Sequence, residues 1–232
     1  MKKRLLALAL PALLIAAAVR ADTAPAVIYW DTTAGKTLRG RMPADADYWQ
    51  LAPAFAMQMT QSYCGVASAV TVLNALPINK PVDPTYAPYA YFTQSNFFTP
   101  DVVKIISPQT VLAQGMTREE MAATLTRHGI KTKSIAGDTL DDRSLRALLQ
   151  DALREDGQFV LANYLRATLE QVGGGHWSVL AAYDVQTDSV LILDVAKYKY
   201  APAWVSISTL RQALSTLDTT SNKSRGLVVV SK

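Results

Sequence analysis

The chain of 232 residues reads as an α+β fold, because helical and strand patterns segregate along it instead of alternating. Helix-like periodicity and capping signals occupy residues 64–154, and strand-like apolar runs dominate from Gln158 onward. Within that second half, the runs at 176–183 and 190–195 are joined by only a few residues. So short a link cannot carry a crossover, so the two strands are antiparallel.

Taken in order, residues 1–21 are expected to be a targeting segment, not part of the fold. Lys2-Lys3-Arg4 leads into an apolar run from Leu5 to Ala18, and Val19-Arg20-Ala21 has a small-x-small form. That is the layout of a secretory signal peptide, with cleavage near Ala21 and export, in a bacterium to the periplasm. Residues 22–232 then form one domain. In it, 22–56 reads as a lead-in arm with a short strand at 27–30, packed down by Tyr48, Trp49, Leu51 and Phe55. A helix at 64–76 stops before Pro77, and 77–115 is a loop region rich in proline and aromatics with a short helix near 101–106.

Thr117-Arg118-Glu119-Glu120 is a capping box, with Met116 and Met121 spaced as a hydrophobic staple. The helix it opens runs to His128, with Gly129 as its C′ residue; His128 is expected to be structural, a base in the last turn. A strand at 130–135 and a helix at 141–154 with an apolar face of Leu145, Leu148, Leu149, Ala152 and Leu153 follow. Strands at 158–164, 176–183 and 190–195, a helix near 208–217 and a strand at 226–231 complete the chain.

Composition excludes several classes of function. The leader holds four of the 23 basic residues and none of the 19 acidic ones, so the remainder balances at 19 against 19. The basic character belongs to the leader and gives no argument for nucleic acid or an anionic membrane surface as partner. One cysteine and two histidines are too few for a structural zinc site, and no metal site or intrinsic cofactor is expected. A single cysteine also forbids an internal disulfide. In an oxidising compartment, an unpaired thiol is better explained by chemistry than by packing.

That cysteine sits where chemistry needs it. Cys64 opens the helix at 64–76, at the positive end of its dipole, which favours thiolate over thiol. Gln58, six residues ahead, could donate its amide to an oxyanion. His176 opens one strand of the hairpin and Asp194 ends the other. With the turn centred near 186–187, His176 lies opposite about 196–197, so Asp194 is its near-diagonal neighbour and can fix the imidazole tautomer. Nucleophile on a helix start, base and orienter on a sheet, and amide donor upstream make up the papain-like arrangement: a helical lobe carrying the nucleophile, packed on an antiparallel β-sheet lobe. Each member alone has a plainer reading: Cys64 as a buried hydrophobe, Asp194 as a strand-end acid, 173–175 as a flexible loop.

Longer motifs then resemble one family. Gln58-x5-Cys64-Gly65-Val66-Ala67-Ser68 with Val72-Leu73-Asn74-Ala75-Leu76 is one of them, and Phe92-Thr93-Gln94-x-Asn96-Phe97-Phe98 and Gln114-Gly115-Met116-Thr117 are two more. Asn163-Tyr164-Leu165-Arg166, Gly174-Gly175-His176-x-Ser178, Asp194-Val195-Ala196-Lys197-Tyr198-Lys199-Tyr200, Trp204-Val205 and Arg225-Gly226 follow. Together they resemble the catalytic domain of the phytochelatin synthases, closest to short bacterial members that lack the cysteine-rich C-terminal region. The resemblance implies a papain-like enzyme in which Cys64 cleaves the Cys–Gly amide of glutathione and holds γ-Glu-Cys as a thioester. His176 would be the base, Asp194 its orienter and Gln58 the oxyanion donor. Gly175, Lys197 and Tyr200 fall where the family binds the acyl donor, and Arg166 and Lys199 where it receives the acceptor glutathione. Position 197 is lysine where plant members carry arginine, a point charge in place of a bidentate fork.

The same likeness implies glutathione as the partner, cadmium or zinc arriving only as glutathione thiolate complexes, and a possible homodimer. Hydrolysis of the thioester is expected ahead of transfer to a second glutathione. Two alternatives stay open at this level. One is a leader peptidase of the bacteriocin-exporter kind, which shares the Gln-x5-Cys-Gly start. The other is a non-catalytic module that binds glutathione or metal thiolates.

Overall fold

The structure is a computed structural model that describes residues 25–232, so the expected leader lies outside the described residues. In chain order the strands and helices are β1 (Val27–Tyr29), α1 (Thr33–Gly40), α2 (Tyr48–Leu51), α3 (Cys64–Ala75), α4 (Pro100–Val103), α5 (Pro108–Gln114), α6 (Arg118–Arg127), β2 (Lys131–Ala136), α7 (Asp142–Ala152), β3 (Gln158–Leu165), β4 (Gly175–Asp184), β5 (Ser189–Leu193), β6 (Ala203–Ser206), α8 (Ile207–Leu214), β7 (Leu217–Asp218), β8 (Lys223–Ser224) and β9 (Gly226–Ser231). The expected α+β architecture stands. Seven strands form one antiparallel sheet in the order β1-β6-β5-β4-β3-β9-β2, and β7 and β8 make a separate two-stranded ribbon.

Strand alternation sends the sheet's side chains into two cores. On one face Phe159, Leu161, Trp177, Val179, Leu191 and Leu193 meet α3 and the segments around it. On the other, Val160, Ala162, Leu180, Val190 and Ile192 meet α7 and α8. The sheet is therefore covered on both sides, a layer more than a plain two-lobe description implies.

Packing, not propensity, makes α3. Four β-branched residues (Val66, Val70, Thr71, Val72) cost roughly 0.5 kcal/mol each as helix formers relative to alanine. Val66, Val70, Val72 and Leu73 are 1 % exposed or less, and each buried aliphatic contributes about 1.5–3 kcal/mol. Burial wins. The helix ends at Ala75, and Leu76 is already extended ahead of Pro77.

The capping box at Thr117 and Glu120 forms in both directions, with Met116 and Met121 buried beside it. Gly129 follows with φ +80°, a conformation glycine adopts without strain. His128 is structural, though not through the helix dipole. Burial against Phe92 and Phe97 lowers its pKa, and a ring nitrogen meets the Phe97 carbonyl at 3.1 Å. The elements not expected are α1 and α2 inside the supposed arm, α5 inside the supposed loop, β6, which joins β1 to the sheet, and the ribbon of β7 and β8.

Candidate active site

Cys64 is the first residue of α3, and Tyr63 ahead of it supplies no side-chain cap, so the helix presents free N–H groups around the thiol. His176 lies near the start of β4, and Asp194 lies one residue beyond β5. A β-bulge brings that pair together. Near the turn the register pairs Asp184 with Ser189 and Ala182 with Leu191, but past the bulge Leu180 pairs with Ile192 and Val179 with Leu193. Ala181 and Ala182, adjacent in sequence, consequently face the same core. Continued one way, the shifted register puts residues 176 and 194 on one face; without the bulge they would lie on opposite faces.

The imidazole Nε2 meets Asp194 Oδ1 at 2.9 Å, which leaves Nδ1 for the thiol. Asp194 Oδ1 also accepts from the Ala196 N–H at 2.9 Å and from Arg166 Nη2 at 2.9 Å, and Arg166 Nη1 lies 2.7 Å from Oδ2. Burial alone would raise the Asp194 pKa. The hydrogen bonds and charges of His176 and Arg166 overturn it and bring the pKa down to about 2. For Cys64 the largest influence is again burial, which opposes ionisation. The charge and hydrogen bond of His176, with backbone bonds from Trp177 and Gly65, outweigh it and lower the thiol pKa. Burial pushes His176 down, yet the Cys64 thiolate and Asp194 raise it overall. The three groups are arranged to hold a thiolate–imidazolium pair.

Gln58 is 3 % exposed, and its Nε2 donates to the Tyr198 hydroxyl at 2.7 Å. Its backbone belongs to a segment tied at every residue. Lys197 Nζ donates to the Phe55 carbonyl (2.7 Å), the Ala56 N–H to Thr71 Oγ1 (3.0 Å), Gln94 Nε2 to the Met57 carbonyl (2.8 Å), the Gln58 N–H to the Val195 carbonyl (2.9 Å) and the Met59 N–H to Gln94 Oε1 (3.0 Å).

Two cavities meet at Gly175 and His176. One, of 270 Å³, is lined by Gln58, Arg166, Tyr198 and Lys199 along with 173–175. The other, of 170 Å³, holds Cys64, Gln114, Asn163, Asp218 and Arg225. Gly175 is needed where the cavities join, since a Cβ there would strike the Arg225 guanidinium.

The expected binding residues divide. Gly175 lies between the cavities, and Arg166 and Lys199 line the larger one. Arg166 is 3 % exposed and committed to Asp194 and to Gln171 Oε1 (2.6 Å). Lys199 Nζ rests on the Val172 carbonyl at 2.7 Å. Lys197 and Tyr200 line neither cavity. Lys197 Nζ sits over the Phe55 ring, and the Tyr200 hydroxyl accepts from the Val172 N–H while its ring lies beneath Arg166. Sequence reasoning assigned no role to Arg225, Asn163 or Asp218. Arg225 Nη1 donates to Asn163 Oδ1 at 2.9 Å, and burial is the main reason its pKa is lowered. Arg225-Gly226 is among the motifs that carry the family resemblance, but a single arginine ahead of a strand has no local pattern that gives it a role.

The profile of the family described as phytochelatin synthase matches residues 19–227. The chain belongs to the phytochelatin synthase family. Among similar curated proteins, glutathione gamma-glutamylcysteinyltransferase 1 of Triticum aestivum is 31 % identical over 80 % of this chain and 36 % of its own length. Its counterpart in Arabidopsis thaliana is 28 % identical over 80 % of the chain and 37 % of its own length, and the enzyme of Schizosaccharomyces pombe is 24 % identical over 87 % and 48 %. The chain thus spans less than half the length of these phytochelatin synthase relatives.

Proposed function

We propose that this protein is a thiol acyltransferase acting on glutathione, with Cys64 as acyl carrier. The observation that carries the reading is the buried Cys64–His176–Asp194 line, with the thiol pKa lowered and the imidazole pKa raised. The thiolate attacks the carbonyl carbon of the Cys–Gly amide. Gln58 and the Cys64 N–H stabilise the oxyanion, where one donor typically accounts for about 10²–10³ in rate. His176 passes its proton to the departing amine, the C–N bond breaks, and glycine leaves a γ-Glu-Cys thioester. His176 then takes a proton from the attacking water or from the amine of a second glutathione. The C–S bond breaks, and the thiolate returns.

The smaller cavity suits the acyl half. Arg225 is a buried cation lining that cavity, and its guanidinium can meet the glutamyl α-carboxylate. The larger cavity, beside Gln58, suits the leaving glycine and the nucleophile that follows. We place hydrolysis ahead of transfer, with cadmium or zinc entering only as substrate thiolate complexes. Export to the periplasm, through the Lys2-Lys3-Arg4 leader, belongs to the same proposal; N-terminal sequencing of the exported form checks it.

Mass spectrometry of the purified protein with glutathione, with and without cadmium or zinc, tests the reaction. The expected products are glycine with γ-Glu-Cys, and phytochelatin as the minor outcome. Glycine release by Cys64→Ala at the wild-type rate would end the proposal.

A further inference from the structure

Gln94 stands outside both cavities, on the loop after the isolated bridge of Val82 with Ala90, and the mechanism above gives it no part. It is 8 % exposed, and its side-chain amide is used at both ends. Nε2 donates to the Met57 carbonyl at 2.8 Å, and Oε1 accepts from the Met59 N–H at 3.0 Å. These are the main-chain groups on either side of Gln58. The amide binds the segment as a neighbouring strand would, with its donor and acceptor matched to an extended backbone.

The loop that presents Gln94 is itself held to the nucleophile helix. Asn74, on α3, repeats the device two residues earlier. Its Nδ2 donates to the Phe92 carbonyl at 2.8 Å, and its Oδ1 accepts from the Phe92 N–H at 2.9 Å. Asp83 fastens the same loop through Thr93 Oγ1 at 2.7 Å and Asn96 Nδ2 at 3.2 Å. Two amide clamps in series therefore run from α3 to Phe92, and from Gln94 to the backbone bracketing Gln58. They fix Gln58 relative to Cys64 by a route independent of the covalent turn at 60–63.

From this juxtaposition we infer that Gln94 is a positioning residue for the oxyanion donor, acting only through Gln58. The inference rests on the proposed role of Gln58. Removing the clamp frees the 57–59 backbone to shift, and a misplacement of about 1 Å at a reacting group can cost about 10²-fold. Cys64 and His176 are held by other contacts, so their ionisation stays as it is.

A double-mutant cycle tests it, with glycine release from glutathione by the full-length protein as the assay. Gln94→Ala is expected to lower kcat about 10- to 100-fold with KM nearly unchanged. Alkylation of Cys64 by iodoacetamide at pH 6 should keep its wild-type rate. In a Gln58→Ala background, Gln94→Ala should add almost nothing, because the group it positions is gone. Equal fold-losses in both backgrounds would overturn the inference, as would alkylation slowing in step with kcat. Gln94→Glu keeps the acceptor for Met59 and loses the donor to Met57. It is read in the same cycle and supplies the answer where Gln94→Ala fails to fold. Should Gln58→Ala alone leave kcat unchanged, the oxyanion assignment itself falls, a result distinct from additivity.

Discussion

The two cavities that meet at His176 differ in how their cations are held. In the smaller one Arg225 is 8 % exposed, bonded to Asn163 and 3.8 Å from Asp218, with Gly175 leaving room for its guanidinium. In the larger one Arg166 is already spent on Asp194, and the remaining cation, Lys199, is exposed beside an exposed Tyr198. A buried, preorganised charge selects one ligand group strongly; an exposed lysine contributes little and tolerates many partners. For the proposed reaction, the contrast predicts that the acyl half is chosen strictly and the acceptor loosely, so that water and a second glutathione compete for the thioester.

Substitutions can break that contrast. The largest effect is expected from Arg225→Met, about a 100-fold loss or more in kcat/KM for glutathione, since truncating one partner of a desolvated charge contact typically costs 2–5 kcal/mol. Lys199→Met should change glycine release by less than about 3-fold and act instead on the share of thioester passed to glutathione. Steady-state kinetics with product analysis compares the two. Equal losses from both would mean the cavities do not differ in this way.

The pH profile of kcat/KM sharpens the picture of the catalytic pair. Because the Cys64 pKa is lowered and that of His176 raised, the ionised pair exists between the two. Activity should fall on the acid side as the thiolate takes up a proton, below the ordinary thiol range. On the basic side it should fall as imidazolium loses one, above the ordinary value of 6.5. Asp194→Asn removes a hydrogen bond and a charge that raise His176, so the basic limb should move to lower pH.

The smallest effect concerns Asp47, away from both cavities. It is 1 % exposed, and burial followed by the Asp156 charge raises its pKa from 3.8 to about 8. The folded protein then keeps a proton that the unfolded chain releases, so this group's contribution to stability is full below about 4 and is lost as pH rises through about 8. Asp47→Asn should raise Tm by about 5 °C at pH 8 and leave it unchanged at pH 4, which thermal unfolding at the two values checks.

What was legible in the sequence was local. The capping box, the helix stop before Pro77, the tight turn and the Cys64 helix start are each set by neighbours within a few residues. The strand β6 was not legible, because its pairing with β1 joins residues far apart in the chain. Arg225 and Gln94 stand in the motifs that carry the family resemblance, but their roles were not legible for the same reason: each matters through a backbone or a side chain distant in sequence. The expectation for His176 and Asp194 was right about proximity, but it could not supply the parity of the register, since nothing in the run of apolar residues marks where a strand will bulge.

That bulge makes the hairpin sensitive to counting. Removing or adding one residue between Trp177 and Ala181 changes the parity, and Asp194 turns to the opposite face from His176 even if every other side chain is retained. Residues 185–187, at the tip, lie beyond the paired register and leave that count alone. Tolerance to length changes along these two strands should therefore be sharply divided, with single insertions accepted at the tip and each one below the bulge separating the base from its carboxylate.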